Sequence, residues 1–478
     1  MKVIMKKILL LAVFCAVCSI CTAYDFSAVS PSGHTLYYIL KTNTLTNQVY
    51  AIVSYPAMSP TTAEALWEGY AKPVGDVEIP GTVEHNGQLY PVAEIGSSAF
   101  IYCDGITSIT IPEGVTSIGS RAFSNCKRLV SIVVPEGMTA IAIEAFEFCS
   151  GLESVVLPES LKEIGDYAFL ECPKLESVNL PSALQRISDG CFAEDSALTV
   201  VNLPESLTSI GFFSFGNCCS LAEVTLPEGL KSIDTYAFYG CSLRSIKIPS
   251  TIESLGTAIF FGCQSLQSIT FPDHLTYLPD EVVCACPSLT YCHLPEQLEE
   301  LGAYFFCESG ITDVTFPEHV ATLGEGIFYE CPNLRTVSFP ASLTTMEDSL
   351  FVSCPALETI TLACTTPPTT PDGTFTAYDA TVYVPVGTAE VYRQHPIWSR
   401  FANIVEGTIT GIGGKKVNEV NIYARDGRIV VEGADGERLQ VFDMRGHQLT
   451  ANSQQPVGIY MVKVGNHTTR KVVVTQIH

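Results

Sequence analysis

The groups in this 478-residue chain that could do chemistry are 19 cysteines, nine histidines and an excess of acids, 50 against 26 basic residues. Their spacing is regular. Cys103, Cys126, Cys149, Cys172, Cys218, Cys241, Cys263, Cys286, Cys331 and Cys354 each lie three residues after a member of a nearly unbroken aromatic series: Phe100, Phe123, Phe146, Phe169, Phe192, Phe215, Phe238, Phe260, Val283, Phe306, Phe328 and Phe351. Cysteines in an exported protein suggest disulfides, yet stacked neighbours would stand about 4.8 Å apart, whereas bridged Cβ atoms want about 3.8 Å. Asp195 and Ser309 also occupy the cysteine series with no compensating partner. A zinc ladder would need histidines at ligand spacing. The series therefore reads as buried free thiols acting as small hydrophobes.

A second regular feature is acidic. Glu113, Glu136, Glu159, Glu205, Glu228, Asp273, Glu296 and Glu318 each follow a proline. Stacked at about 5 Å, adjacent carboxylates repel by about 0.8 kcal/mol in water, and salt reduces that. A calcium row would need six to eight oxygens per ion, more than one carboxylate per layer supplies, so a solvated turn is the reading. A third group, Thr270, His293 and Asp313, falls on consecutive units and has the residue types of a hydrolase. An open sheet face offers no oxyanion hole and excludes no water, so no enzyme, cofactor or metal centre is expected. P-loop, dinucleotide, HExxH and GxSxG patterns are absent from the sequence.

These groups ride on a repeat. An apolar residue followed by proline recurs at Pro112, Pro135, Pro158, Pro181, Pro204, Pro227, Pro249, Pro272, Pro295, Pro317 and Pro340, with intervals of 23 residues and twice 22. A fixed period in this range signals a solenoid whose units bury a shared core only by stacking. In the unit beginning at Pro158, Val178 and Leu180 point inward and Ser177 and Asn179 outward, as in a strand. Proline ends that strand, and Ala168, Phe169 and Cys172 fill the far side through a tight or short helical turn. A glycine series (Gly96, Gly119, Gly165, Gly211, Gly256, Gly302, Gly324) is broken by Pro279 among others. Proline needs φ near −65°, so close packing rather than a left-handed backbone explains the glycines.

The pattern L-x-x-V/I-x-I/L-P-x-x-L-x-x-I-G-x-x-A-F-x-x-C, spelled out by residues 152–172, resembles the BspA-like leucine-rich-repeat surface proteins of Gram-negative anaerobes. The expected architecture is a leucine-rich-repeat solenoid over 91–362, with a parallel sheet of one strand per 22–23-residue repeat and short helical turns. A β-rich N-terminal cap spans 24–90, with Asn86-Gly87 as a hairpin turn, and a C-terminal cap spans 363–406, where a short helix from Thr388 precedes Trp398 and Phe401. A linker (407–416) then leads to a small antiparallel β-sandwich (417–478) built of short strands between turns. Asp443-Met444-Arg445-Gly446, Gly458-Ile459-Tyr460 and Lys471-Val472-Val473-Val474 in that last segment resemble the sorting domain of the type IX secretion route, though the Asn-Pro pair common near its start is missing.

Residues 1–23 read as a signal peptide: Lys2, Lys6 and Lys7, then an apolar run over 8–17, then Cys21-Thr22-Ala23. Met5 is an alternative start. A lipid anchor on Cys15, Cys18 or Cys21 is disfavoured because Phe14, Val17 and Ile20 stand where small residues are wanted. Loss of three lysines would take the formal charge from −24 to −27, which excludes phosphate-neutralising nucleic-acid binding. No later apolar run reaches the roughly 20 residues of a membrane span.

The outward strand positions form the presumed concave face. It is mostly small and hydroxylated, with larger groups gathering late: Glu223, Lys247, Tyr291, His293 and Asp313 are the ligand-contact candidates. The resemblance implies a secreted or cell-surface, adhesin-like, non-enzymatic protein that binds host or neighbouring-cell macromolecules, an extracellular protein or a glycan. Glycan capture and a structural envelope spacer are the alternatives.

Overall fold

The computed structural model describes residues 24–57 and 62–407 with their side chains, and the backbone of the strands Asn421–Arg425, Arg428–Glu432, Leu439–Asp443, Gln448–Leu449, Gly458–Val464 and Thr468–Val474. The expected signal peptide and most of the linker lie outside these residues. The chain divides into two compact units, Met1–Glu406 and Gly407–His478.

The first unit is a parallel β-solenoid of about 14 turns. Alternation dictates its long strands. Ser177 and Asn179 are exposed while Val178 and Leu180 are buried, and the same out-in-out pattern recurs at Ser131–Val133, Ser154–Val156 and Asp313–Thr315. Residues align in register across layers, for example Ser177 with Val200 and Asn179 with Asn202. The stack exceeds the repeats read from the sequence at both ends. Gly75–Glu78 pairs with Ile106–Thr110 at one end, and Thr381–Val384 and Asn403–Glu406 continue the parallel ladder at the other.

Two expectations are corrected. Nearly every repeat carries two strands, not one: a second, two-residue strand (Ser117–Ile118, Ala140–Ile141, Glu163–Ile164 and their successors) pairs in parallel with its counterparts in neighbouring layers, in ladders separate from the long strands. Only one of its two residues faces the core, too short an alternation to show as a strand in the sequence. The far side is not helical either. In residues 98–103 the N–H groups of Ser98, Phe100 and Tyr102 donate to Ser120, Ala122 and Ser124 of the next layer. Those of Ala99, Ile101 and Cys103 close three-residue turns onto Gly96, Ser98 and Phe100. Half the donors are thus committed to a neighbouring layer, which a helix cannot do. The alternation places two residues per turn in the left-handed region, and most are not glycine: Tyr167 at φ 57° and Glu171 at φ 54° in one repeat. Each costs roughly 1–2 kcal/mol, offset by the interlayer bond it makes.

The glycine series lies elsewhere and serves close approach, as the sequence implied. A Cβ on Gly165 would lie 2.5 Å from the backbone nitrogen of Ile143. The core is the phenylalanine series, with rings stacked face to face at 5.2–5.7 Å from Phe100 to Phe260.

At the N-terminal end, Phe26–Val29, Thr35–Thr42 and Val49–Ser54 form an antiparallel ribbon, and its last strand joins Gln88–Ile95 in parallel. Asn86 and Gly87, at φ 54° and 77°, turn the hairpin between Thr82–His85 and Gln88–Ile95. At the other end Phe375 stacks on Phe351 at 5.0 Å, and Trp398 and Phe401 pack edge-on against Phe375. The only α-helix among the described residues is Ala389–Gln394. In the second unit Asn421–Arg425 pairs antiparallel with Arg428–Glu432, and Leu439–Asp443 with both Gln448–Leu449 and Gly458–Val464. Gly458–Val464 in turn pairs antiparallel with Thr468–Val474.

Candidate ligand-binding face

The long-strand ladder is not continuous. It is interrupted between Ser154–Val156 and Ser177–Asn179, around residues 223–225, and between Tyr291–His293 and Asp313–Thr315. Two interruptions have a cause in the sequence. Most repeats place two residues between the column cysteine and the leucine that enters the strand. Cys241-Ser242-Leu243 and Ser309-Gly310-Ile311 have one. The strand that follows each shortened connection, Ser245–Lys247 or Asp313–Thr315, is the one that fails to pair with its predecessor. Nothing in the structure explains the first interruption.

The candidate residues gather at these two seams. Residues 223–225 pair with neither flanking strand, and Val224 is only half-buried where its counterparts Val201 and Ile246 are buried. A cleft of about 670 Å³ opens there, lined by Val200, Asn202, Glu205, Glu223, Thr225 and Arg244 among others. Glu223 approaches Arg244 at 4.0 Å, and Lys247 approaches Glu228 at 4.0 Å. All four side chains are mostly exposed, so these pairs contribute little to stability and stay open to a partner's charges.

At the second seam Tyr291 and His293 pair in register with Ser268 and Thr270. Tyr291 is 56% exposed. Asp313 lies beyond the interruption, so Thr270, His293 and Asp313 are not on one ladder as the sequence implied. His293 Nε2 instead meets Asp273 Oδ1 at 2.9 Å, and that bond pulls the Asp273 carboxyl below its ordinary range. Asp313 Oδ2 accepts from the Thr312 hydroxyl. The hydrolase-like grouping is not assembled, and no group of three metal-ligating side chains occurs among the described residues.

Three members of the acidic series, Glu136, Glu159 and Glu228, tie layers together. Glu136 Oε1 accepts the Glu159 N–H at 3.2 Å. Glu159 Oε2 accepts the Ser182 N–H and hydroxyl at 3.0 and 2.8 Å, and Glu228 Oε2 those of Ser250 at 3.1 and 3.0 Å. The cysteines have a role beyond volume. Nine of the ten column thiols donate to the carbonyl of the phenylalanine one repeat earlier, among them Cys126 to Phe100 at 3.2 Å, Cys149 to Phe123 at 3.2 Å, Cys218 to Phe192 at 3.1 Å and Cys331 to Phe306 at 2.9 Å. Burial pushes these thiols up, to about 12 at Cys149 and Cys331. They are inert packing groups.

Sequence reading missed Arg244, and it placed Glu228 and Asp273 only in the acidic series, not as partners of Lys247 and His293. It also missed a half-buried aromatic cluster on the turn side, Phe212, Phe213, Tyr236, Tyr239 and Phe261, in which Tyr239 stacks on Phe261 at 5.5 Å. Its signal was aromatic residues falling outside the phenylalanine series.

A parallel solenoid with 22–23-residue turns, a stacked phenylalanine core and an exposed hydroxylated strand face defines a leucine-rich-repeat protein. The model of the BspA-type leucine-rich-repeat region matches residues 93–218, 185–310 and 299–380, and the chain belongs to that family. Among solved structures it is similar to a leucine-rich-repeat protein from Bacteroides ovatus, with 24% identity and a TM-score of 0.50, over 71% of this chain and 95% of that one. It is also similar to the pneumococcal vaccine antigen PcpA, with 18% identity and a TM-score of 0.53, over 81% of this chain and all of that one. No protein of curated function matches.

Proposed function

We propose that this chain is an exported, non-enzymatic, adhesin-like protein that binds an extracellular macromolecule through the long-strand face of its solenoid, at the seams bearing Glu223 and Lys247 and bearing Tyr291, His293 and Asp313. The observation that carries this is the exposed ring of Tyr291, held beside an open ladder edge on a face otherwise composed mainly of small hydroxylated residues. Tyrosine is favoured at binding hot spots because it buries a large ring and keeps a polar tip, and solenoids use extended faces for recognition.

Family membership supports a surface location, and no helix of the described residues is long and apolar enough to cross a membrane. The antiparallel strands of the second unit fit a small sandwich, and its resemblance to a sorting domain supports display or release by that route. The expected signal peptide supports export.

Capture assays with the mature chain against extracellular-matrix proteins and against glycans test the binding. Adhesion gives protein ligands, the alternative of glycan capture gives glycans, and a spacer gives neither. With any ligand so found, Tyr291→Ala weakens binding by at least about 1 kcal/mol while Ser154→Ala changes little. Equal effects from both would move the docking site to the caps or the turn side.

A further inference from the structure

The short-strand side of the solenoid carries an opening of its own. In its intact layers the Lys231 carbonyl accepts the Glu253 and Ser254 N–H groups at 2.7 and 3.1 Å, and the Ile233 carbonyl accepts the Gly256 N–H at 2.8 Å. Further along, the Thr276 carbonyl accepts those of Glu299 and Glu300, and the Leu278 carbonyl that of Gly302. Between these layers the ladder is missing. Pro279 stands where Gly256 and Gly302 stand, with no N–H to give the Leu255 carbonyl. The Glu253 and Leu255 carbonyls and the Thr276 and Tyr277 N–H groups have no partner among the described residues. The short-strand ladder also breaks between Glu163–Ile164 and Arg186–Ile187, but there the Ser188 hydroxyl takes the Ile164 carbonyl and both isoleucines stay buried. At Pro279, by contrast, Leu255 and Leu275 are only half-buried, and they wall a cleft of about 440 Å³.

The rim of this cleft is aromatic and acidic. Tyr277 is 47% exposed and pairs in register with Glu300. Glu299 and Glu300 are both exposed, and neither has an ion-pair partner among the described residues. Glu253, on the opposite wall, is held by Lys231 at 2.7 Å. We infer that the cleft is a docking site for an extended peptide segment that carries one large apolar side chain with a lysine or arginine two places away. The apolar side chain fills the space between Leu255 and Leu275. The peptide's main chain supplies the donors and acceptors that the two open edges lack, as in strand addition to a sheet. Side chains two places apart in an extended segment share a face, and Leu275 and Tyr277 have the same spacing. The basic group therefore comes to lie over Tyr277 and Glu300, where ring and carboxylate both attract a cation. An acidic segment would be repelled by the same glutamates. The cleft belongs to the short-strand ladder, so the inference does not depend on what binds the long-strand face.

The test is fluorescence anisotropy of a labelled heptapeptide titrated with the mature chain. The peptide has a central leucine, a lysine two places to either side, and valine or threonine elsewhere. Matched peptides replace the leucine by serine or both lysines by glutamate. The expected result is saturable binding of the first peptide, with the serine peptide weaker by about tenfold and the glutamate peptide weaker still. Pro279→Gly gives the Leu255 carbonyl its missing donor and closes the ladder. It should weaken binding by about tenfold or more without lowering the urea midpoint. Tyr277→Ser puts back the serine of the preceding layers and should weaken the lysine peptide by about threefold while leaving the glutamate peptide unchanged. The inference is overturned if the wild type shows no saturable binding, or if Pro279→Gly or Tyr277→Ser binds as wild type does. Equal binding of the serine peptide also overturns it, since that would be general attraction of a cation to an acidic chain.

Discussion

Asp195 holds in the core the place that a cysteine holds in most repeats. Its Oδ1 accepts the Cys172 N–H at 2.7 Å, its Oδ2 has no partner among the described residues, and the side chain is fully buried. Burial pushes its carboxyl well above the ordinary carboxylate range, so the folded chain keeps a neutral acid there. In the unfolded chain the same group releases its proton near pH 4. Between those two values the unfolded state binds fewer protons than the native one, so stability falls as pH rises, by about 1.4 kcal/mol per pH unit from this group. The contribution is fully present only below about pH 4. Asp195→Cys removes the dependence and restores the residue type of the column. Urea unfolding should therefore show the variant more stable than wild type at pH 7, with the gap closing toward pH 4. A gap independent of pH would mean that Asp195 is ionised in the folded chain.

At the scale of strands and turns, the ladder interruptions are the weak points. Pro279 stands in the glycine series, where other members donate an N–H to the carbonyl 23 or 24 residues earlier, as Gly165 does to Ile141 and Gly302 to Leu278. Proline has no N–H to give. The short-strand ladder breaks there, between Ser254–Leu255 and Tyr277–Leu278. A cleft of about 440 Å³ opens, with Leu255 and Leu275 only half-buried at its wall. Amides without a ladder partner open more readily. Hydrogen exchange should therefore be faster in peptides covering 222–225 and 276–278 than in those covering 131–133 and 209–211, which are paired on both sides, and uniform protection along the stack would contradict the seams.

The outcome also shows what the sequence could reveal at this scale. Phe169, Cys172 and Pro181 were legible because each repeats at one position and answers to one requirement, burial or strand termination. The two seams at 223–225 and before Asp313 were not, because each follows from a single residue missing between Cys241 and Leu243 or between Ser309 and Ile311, which the sequence shows only as a 22-residue interval with every column intact. The turn path was hidden for a different reason. Tyr167 and Glu171 adopt left-handed backbone under the demand of interlayer hydrogen bonds, and no residue preference marks them. Of the candidate contacts, Tyr291 and His293 are neighbours on one strand as read, while Asp313 is separated from them by a seam.

For the whole molecule, a stack exists only if both ends are closed, since each turn leaves an apolar face that only a neighbour can cover. At the C-terminal end this falls to Trp398, which is fully buried, donates its indole N–H to Thr370 Oγ1 at 3.1 Å and packs against Phe375, Tyr392 and Phe401. Trp398→Ala leaves the last phenylalanine layer uncovered and should cost about 3–5 kcal/mol, read as a lower urea midpoint. Proteolysis of that variant should begin near the C-terminal turns of the solenoid. Loss that begins at the N-terminal ribbon instead would show that Trp398 does not close the stack.

The thiol-to-carbonyl bonds also bear on how the chain survives its own manufacture. Each links residues only 25 or 26 apart in sequence, so a thiol is sheltered as soon as two successive turns meet and need not wait for distant chain. Contacts this local form quickly, whereas disulfide formation and reshuffling take seconds to hours. A polypeptide emerging end first into an oxidising space can thus withdraw its sulfur from reach turn by turn. A fold of equal cysteine content built on long-range contacts would lose that race to scrambling.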